Sequence, residues 1–176
     1  MKKLNEAEFI TELKKIKLLA LDVDGVLTDD SIFFGADGAE FKRFNISDGF
    51  FIVLAIRSGL EIAVVSGRYS PATDTRMRDL GVKHVLQAHK NKVDQITPLL
   101  TELGLTFPDV AFVGNELLDI SLAQKVGLPI AVADAADELK DTCAYITTKA
   151  GGDGAVREIL DCYFRAIGKD PKEYIV

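Results

Sequence analysis

Short apolar segments alternate with longer amphipathic segments along most of this chain. The apolar segments are typical of strands buried on both faces, and they comprise residues 18–23, 62–65, 84–86, 110–113, 130–132 and 144–147. The amphipathic segments predict helices over residues 50–58, 71–80, 92–103, 117–126 and 155–167. Because strands and helices alternate, we expect an α/β fold built on a doubly wound, Rossmann-like parallel sheet.

Capping residues support the predicted helix boundaries. Ser70 and Pro71 suit the cap and the first position of a helix. Helices are expected to end at glycines, here Gly59, Gly81 and Gly104. Pro98 lies inside the segment 92–103 and predicts either a kink or a restart of that helix after Thr97.

One segment departs from this alternation and predicts an inserted β-hairpin. Residues 31–34 and 40–44 are typical of two short strands on either side of a glycine turn. The hairpin carries four phenylalanines, Phe33, Phe34, Phe41 and Phe44. An isolated hairpin is marginal in water, so these rings need a surface to pack on. They either cover the edge of their own sheet or contact another subunit.

The composition is that of a globular chain rather than a disordered or fibrous one. Of 176 residues, 48% are hydrophobic and 27% are charged, which suits one domain over residues 1–176. The net charge of −6 argues against a nucleic-acid partner. No apolar run approaches the roughly 20 residues that span a bilayer, and the charged start at residues 1–6 is not typical of a secretory signal. We therefore expect a soluble, cytoplasmic protein without a membrane partner.

Two carboxylates, Asp22 and Asp24, stand where the first predicted strand passes into a loop. Once the strand ends, the chain can turn both acids toward one pocket, where they require a cation or a shared proton. Mg²⁺ prefers oxygen ligands of this kind. The pair therefore indicates metal-assisted phosphoryl transfer, with one Asp as nucleophile and the other as general acid and base. The alternative is that both acids only form a turn before Gly25.

Other predicted strands end in groups suited to phosphate. Ser66 offers a hydroxyl and Gly67 a bare amide after the second strand of the sheet. Lys92 begins a predicted helix, and an acidic cluster with Glu116 and Asp119 follows the strand at 110–113. Each group also has an ordinary structural explanation, as a turn, a solvated charge or acids favoured by a helix N-terminus. Together, at the ligand-binding edge of one sheet, they favour a phosphate site.

At this level of detail the chain resembles the haloacid dehalogenase superfamily of phosphatases. Four segments of the chain are similar to the four motifs of that superfamily: residues 22–25, 66–68, 91–92 and 114–119. The hairpin and residues 45–49, 131–135 and 150–158 further resemble the capless branch of that superfamily, over about residues 16–162. The resemblance implies the same sheet without a cap domain. It also implies a closed homotetramer, in which a neighbouring subunit helps to close the pocket.

The resemblance also implies roles for individual residues. Asp22 would form an aspartyl-phosphate, Asp24 would act as general acid and then base, and Lys92 with Ser66 would hold the phosphoryl oxygens. Mg²⁺ would be bound by the Asp22 carboxylate, the Asp24 carbonyl and Asn115, which stands where the family usually has Asp. Three basic residues are candidates for a substrate carboxylate: Arg68, Lys42 and Arg43.

The implied substrate is a sugar-acid phosphate. The branch includes phosphatases of 3-deoxy-D-manno-octulosonate 8-phosphate, which serve lipopolysaccharide biosynthesis, and phosphatases of nine-carbon nonulosonate 9-phosphates. Arg68 favours the eight-carbon substrate, because nine-carbon phosphatases tend to have Glu at this position. Two alternatives come from other classes of protein. A receiver domain would carry its phosphoacceptor on a later strand than its acid pair, and a non-catalytic oligomeric scaffold would release no phosphate.

Overall fold

The computed structural model describes residues 2–175, which form a three-layer α/β fold. Its strands are β1 (Leu18–Leu21), β2 (Phe33–Phe34), β3 (Glu40–Phe41), β4 (Glu61–Val65), β5 (His84–Leu86), β6 (Val110–Gly114), β7 (Leu128–Ala131) and β8 (Tyr145–Ile146). Its α-helices are α1 (Glu6–Leu13), α2 (Ile46–Arg57), α3 (Pro71–Leu80), α4 (Lys92–Leu103), α5 (Ile120–Ala123), α6 (Asp137–Thr142) and α7 (Ala155–Ile167). Short 3-10 helices cover Phe107–Asp109, Leu117–Asp119 and Pro171–Tyr174.

The main sheet confirms the predicted fold class. Over the described residues it has six parallel strands in the order β5-β4-β1-β6-β7-β8, and these residues contain no cap domain. The chain runs from β1 outward through β4 and β5, then returns to place β6 on the other side of β1. This reversal creates a crevice beyond the carboxyl ends of β1 and β6, where ligands bind in open α/β sheets.

The buried strands explain why the centre of the sheet was predictable. All four residues of β1 and all five of β6 are buried, so neither strand has a polar face. Covered strands of this kind read as continuous apolar runs. No helix in residues 2–175 combines the length and apolar character needed to cross a membrane.

Several element boundaries differ from the predicted ones. Helix α2 begins at Ile46 rather than residue 50, because the Asn45 side chain caps it by accepting from the amides of Ser47 and Asp48. The predicted helix over 117–126 is a 3-10 turn followed by the short α5. Helices α1 and α6 were not predicted, since both are short and strongly charged.

Pro98 does not interrupt its helix. Helix α4 runs from Lys92 to Leu103 as one element with Pro98 inside it. The missing Pro98 amide leaves the carbonyl four residues earlier without its usual helical donor. Of the two predicted outcomes, the restart after Thr97 does not occur, and a kink at Pro98 stays a prediction.

The hairpin is present but shorter than predicted. Strands β2 and β3 have two residues each and pair antiparallel, Phe33 with Phe41 and Phe34 with Glu40. Phe44 packs against the core, but Phe33, Phe34 and Phe41 are 55%, 69% and 57% exposed. Within this chain, these three rings do not cover the sheet edge.

Candidate active site

The carboxyl ends of β1, β4 and β6 and the start of α4 enclose a cavity of about 470 Å³. It lies at the crevice created by the reversal of strand order. Seven of the predicted site residues line it: Asp22, Asp24, Ser66, Gly67, Arg68, Lys92 and Asn115. Sequence reasoning missed Asp30, Lys90 and Leu118 as further lining residues. Asp30 and Lys90 lie outside regular elements, and Leu118 lies in a 3-10 turn where a regular helix was predicted, so no strand or helix period gave the direction of these side chains.

The acidic loop, residues 22–29, is a tight turn held by its own backbone. The Val23 amide donates to Asp22 Oδ1 at 2.7 Å, and the amides of Val26 and Leu27 donate to the Val23 carbonyl. Gly25 has φ of +77°, and a Cβ there would lie 1.9 Å from Asn115 Nδ2. Only glycine fits both the backbone conformation and the close approach of Asn115. The loop therefore brings Asp22 and Asp24 to the cavity in a fixed conformation.

Lys92 joins two buried carboxylates beneath the cavity. Its Nζ lies 2.8 Å from Asp22 Oδ1 and 2.5 Å from Asp119 Oδ1. Burial raises the pKa of Asp22 well above its usual range, although the charge of Lys92 opposes this shift. Burial alone would lower the pKa of Lys92, but the two carboxylates raise it, so this lysine stays protonated. A cation is thus held permanently beside the Asp22 carboxylate.

Asp119 organises the loop after β6 instead of lining the cavity. Its Oδ2 accepts from the amides of Asn115 and Glu116 at 2.9 and 3.1 Å, while Oδ1 binds Lys92. The Glu116 carboxylate accepts from the Leu117 amide at 2.9 Å. Through these bonds Asp119 is the third residue of a capping box on Glu116, at the start of the 3-10 turn that precedes α5. The acidic cluster thus supplies Lys92 with its second partner.

Asn115 is the side chain best suited to complete a metal site. Its Oδ1 is buried and has no hydrogen-bond partner among the described residues. Buried acceptors are rarely left unpaired, so this oxygen is suited to a cation. Residues 2–175 contain no cluster of three His, Cys, Asp or Glu side chains that could hold a metal by themselves. A site here therefore depends on an amide and a backbone carbonyl beside Asp22, and such oxygens suit a hard divalent ion.

Ser66 and Gly67 form a turn fixed from both sides. The Ser66 amide donates to the Leu86 carbonyl at 2.8 Å, and its own carbonyl accepts from Gln95 Nε2 at 3.2 Å. A Cβ at Gly67 would lie 2.7 Å from a methyl group of Leu118. This close approach explains the glycine, and Gly67 lines the cavity.

The two adjacent basic residues of the hairpin base point in different directions. The Lys42 side chain is 1% exposed, and its Nζ lies 2.5 Å from Asp24 Oδ1. Arg43 instead has Nε 3.1 Å from Asp29 Oδ2 and donates to the Gly152 carbonyl at 3.3 Å. Neighbouring side chains in extended backbone alternate between faces, which accounts for the difference. The structure brings Lys42 to Asp24, and neither Lys42 nor Arg43 is among the residues that line the cavity.

A glycine turn that sequence reasoning did not assign to the site supports the acidic loop from below. A Cβ at Gly151 would lie 1.8 Å from the Gly25 carbonyl oxygen. The Gly152 amide donates to the Val26 carbonyl at 2.9 Å, and the Gly151 amide donates to Asp134 Oδ1 at 2.9 Å. The run of three glycines within residues 151–154 was the available signal, because close backbone contacts need glycine.

The chain is similar in sequence to a known family of hydrolases and to characterised members of it. A family model described as haloacid dehalogenase-like hydrolase matches residues 72–159. The 3-deoxy-D-manno-octulosonate 8-phosphate phosphatase KdsC of Escherichia coli strain K12 is 42% identical over 163 residues, 93% of this chain and 87% of that protein.

Two solved structures are similar in fold. The crystal structure of the 3-deoxy-D-manno-octulosonate 8-phosphate phosphatase from Yersinia pestis has a TM-score of 0.89 and 37% identity, covering 92% of this chain and 87% of that one. The enzyme of the same name from Moraxella catarrhalis, in complex with magnesium ion, phosphate ion and KDO, has a TM-score of 0.88 and 34% identity. That match covers 92% of this chain and 93% of that one.

Proposed function

Because the chain belongs to the haloacid dehalogenase-like hydrolases, we propose that it releases phosphate from 3-deoxy-D-manno-octulosonate 8-phosphate. It is an enzyme of the phosphoric monoester hydrolase class. One structural observation supports the proposed phosphate release. The cavity is lined by the residues proposed for this reaction, namely Asp22, Asp24, Ser66 and Lys92. The substrate follows from the relatives, whose names specify the eight-carbon sugar acid.

The first chemical step uses both acids of the loop. A carboxylate oxygen of Asp22 attacks phosphorus, the bond between phosphorus and the sugar oxygen breaks, and Asp24 gives its proton to that oxygen. In the second step Asp24 takes a proton from water, which attacks phosphorus. The bond to Asp22 then breaks, and inorganic phosphate leaves. After the phosphate leaves, Asp22 is again a carboxylate and Asp24 carries the proton that it took from water, so both groups are back in their starting states.

Basic and neutral groups around Asp22 hold the phosphoryl group. Lys92 is fixed beside Asp22 by Asp119, so its charge is in place before the substrate arrives. Ser66 and Gly67 line the same cavity and would donate to phosphoryl oxygens, the Ser66 hydroxyl then leaving the Arg68 carbonyl to which it donates at 3.0 Å. Arg68, at the mouth of the cavity, would bind the sugar-acid carboxylate, a role that suits a guanidinium.

The residues at the ends of β1 and β6 fit a divalent ion. We assign Mg²⁺ to the Asp22 carboxylate, the Asp24 carbonyl and Asn115 Oδ1, the last being the buried oxygen without a partner. When bound, the ion would offset the charge of phosphate and nucleophile. Lys42 serves Asp24 rather than substrate, since its ammonium is buried against that carboxylate.

The oligomer is part of the proposal. A cavity without a cap is open to water, and the exposed phenylalanines of the hairpin offer a surface for a neighbouring subunit. We propose a closed homotetramer in the cytoplasm, with this surface at a subunit contact.

A nonulosonate 9-phosphate remains the rival substrate. The receiver alternative is disfavoured, because Asp22 and Asp24 lie in one loop after one strand.

Phosphate release under excess Mg²⁺ tests the proposal. The purified chain is incubated with octulosonate 8-phosphate, a nonulosonate 9-phosphate and simple hexose phosphates, with inorganic phosphate as the readout. We expect the eight-carbon substrate to have the highest kcat/KM. Preference for the nine-carbon substrate would change the assignment, and absence of turnover on every phosphate ester would favour the scaffold.

A further inference from the structure

Strand β3 has two different faces. Phe41 points outward and is 57% exposed, whereas the side chains of its neighbours Glu40 and Lys42 are 13% and 1% exposed. Alternation along extended backbone separates the apolar face from the charged one. The charged face is directed inward, toward the mouth of the cavity, so the hairpin contributes side chains to the site of its own chain.

Glu40 is the centre of this charged face. Its Oε2 lies 2.6 Å from one terminal nitrogen of Arg68, and Oε1 accepts from the other at 3.1 Å. Oε1 also accepts from the Ser70 hydroxyl at 2.6 Å and lies 4.0 Å from Lys42 Nζ. The bidentate pair fixes the guanidinium in both position and orientation.

Three features keep Glu40 an anion at this position. The hydrogen bond from Arg68 lowers the pKa of the Glu40 carboxyl, and the hydroxyl of Ser70 acts in the same direction. Ser70 is the N-cap of α3, so the carboxylate also lies near the positive end of a helix. A carboxylate with three donors around it is a fixed part of the structure.

The position of Arg68 depends on this contact. Its side chain is 40% exposed, and apart from Glu40 its charged partner is Asp24, at 3.5 Å from Nε. An arginine this exposed would otherwise sample many rotamers, and ordering it on binding would cost affinity. With both terminal nitrogens held from one side, the guanidinium stands ready at the mouth of the cavity.

We propose that Glu40 is a positioning residue that orients Arg68 for the carboxylate of the substrate, so that the hairpin helps to determine substrate specificity. This inference rests on the proposed function, because it assigns Arg68 to the sugar acid. Glu40 itself does not touch the substrate; its carboxylate acts through the guanidinium. The phosphate end of the site, at Asp22 and Lys92, is independent of this pair.

Two substrates separate the carboxylate end from the phosphate end. Glu40→Gln keeps the shape of the side chain but removes the charge, and we expect KM for octulosonate 8-phosphate to rise about tenfold, as for one lost charge-assisted hydrogen bond. The value of kcat should stay within about twofold. For p-nitrophenyl phosphate, which has no carboxylate, kcat/KM should also stay within about twofold, and this activity shows that the variant is folded.

A double-mutant cycle supplies the second readout. If Glu40 acts through Arg68, the variant Glu40→Gln/Arg68→Ala should have the same KM for the sugar acid as Arg68→Ala alone. The control is Asp37→Asn, which removes an exposed carboxylate from the turn of the same hairpin and should leave both substrates unaffected. Additive effects in the cycle would overturn the proposal.

Two further results would contradict the proposed role of Glu40. An unchanged or lower KM for the sugar acid in Glu40→Gln, or an equal loss on both substrates, would show that Glu40 does not position Arg68 for the carboxylate. Wild-type turnover of octulosonate 8-phosphate tests the proposed function, whereas the ratio of variant to wild type tests Glu40. A wild-type chain that hydrolyses p-nitrophenyl phosphate but not the sugar acid would overturn both.

Discussion

The acidic loop at residues 22–29 and the hairpin at residues 31–44 are neighbours in sequence but opposites in structure. The loop is mostly buried, most of its amides are bonded, and Gly25 and Gly151 lie where no Cβ would fit. The hairpin has strands of two residues and exposes three phenylalanines. Thr28 pairs with Phe44 at the base of the hairpin and joins the two regions.

The chain alone fixes the carboxylates of the loop, whereas the hairpin beside them keeps an exposed apolar face without a partner in the described residues. Asp22 and Asp24, the proposed nucleophile and general acid, are positioned by intrachain contacts that close packing makes rigid. The wall above them is a weakly supported hairpin whose outer face is apolar. The base of the hairpin is attached to the loop through Lys42 with Asp24, Arg43 with Asp29 and the pairing of Thr28 with Phe44. Glu40, on the inner face of β3, is paired with Arg68. We expect changes in the loop to affect chemistry, and changes in the exposed outer face of the hairpin to affect assembly.

The largest expected effect is at the nucleophile. Asp22→Asn removes the attacking carboxylate while keeping its shape, and we expect at least a ~10³-fold loss of kcat, on the scale seen when a nucleophile is removed. Asp24→Asn should slow leaving-group protonation and hydrolysis by roughly 10² to 10⁴. Phosphate release and mass spectrometry of the phosphorylated chain are the measurements. A folded Asp22→Asn variant with near wild-type turnover would remove Asp22 from this role.

Gly151→Ala tests the close packing beneath the loop. The added Cβ would lie 1.8 Å from the Gly25 carbonyl oxygen, so the backbone of one segment must move. We expect a loss of about 1–3 kcal/mol in the free energy of unfolding, as for overpacking, together with a ~10-fold or greater loss of kcat. Urea denaturation and phosphate release are measured on the same sample.

Gly38→Ala is the control for that change. Gly38 lies in the turn of the hairpin with φ of +81° and has open space around its Cβ position. An alanine at this position would be strained only through its positive φ, and we expect a loss of about 1 kcal/mol in the free energy of unfolding. Activity should stay within about twofold of wild type. Equal losses of activity in the two variants would contradict the distinction between loop and hairpin.

A double substitution tests the outer face of the hairpin. Phe34→Asp with Phe41→Asp puts two charges on the exposed apolar surface, which is incompatible with burial against another subunit. We expect smaller species in light scattering and a loss of activity of about tenfold, because the cavity then lacks its wall. Ile175→Asp, at another exposed apolar position, should change neither property. A wild-type chain that is monomeric and fully active at micromolar concentration would contradict the proposed tetramer.

The smallest expected effect concerns the metal. Asn115→Asp restores a carboxylate next to Asp22, and a charged ligand binds Mg²⁺ more strongly than an amide. We expect a several-fold lower Mg²⁺ concentration at half-maximal activity and a matching decrease in the calorimetric Kd. Glu116→Gln, in the same loop, is the control. An unchanged Mg²⁺ requirement in Asn115→Asp would show that residue 115 is not a ligand.

The fold and most of the cavity could be predicted because they depend on local patterns. Buried strands such as β1 are recognisable as apolar runs, and the crevice follows from strand order. The roles of Lys42, Glu40 and Gly151 could not be predicted in this way. Each depends on contact with a residue distant in sequence, and the sequence does not show which way a side chain in a short hairpin will point. Asp119 was placed in the correct loop, but its partner, Lys92, became visible only in three dimensions.

The lysines paired with the acidic loop also affect how the protein matures. Lys92 lies against Asp22, and Lys42 lies against Asp24, so each reactive carboxylate has a cation supplied by the chain itself. A chain leaving the ribosome can therefore acquire its native loop before any ion is loaded. Biosynthesis and activation are then separate events. With Mg²⁺ as the proposed ion, we expect a shortage of magnesium to leave an inactive but folded protein.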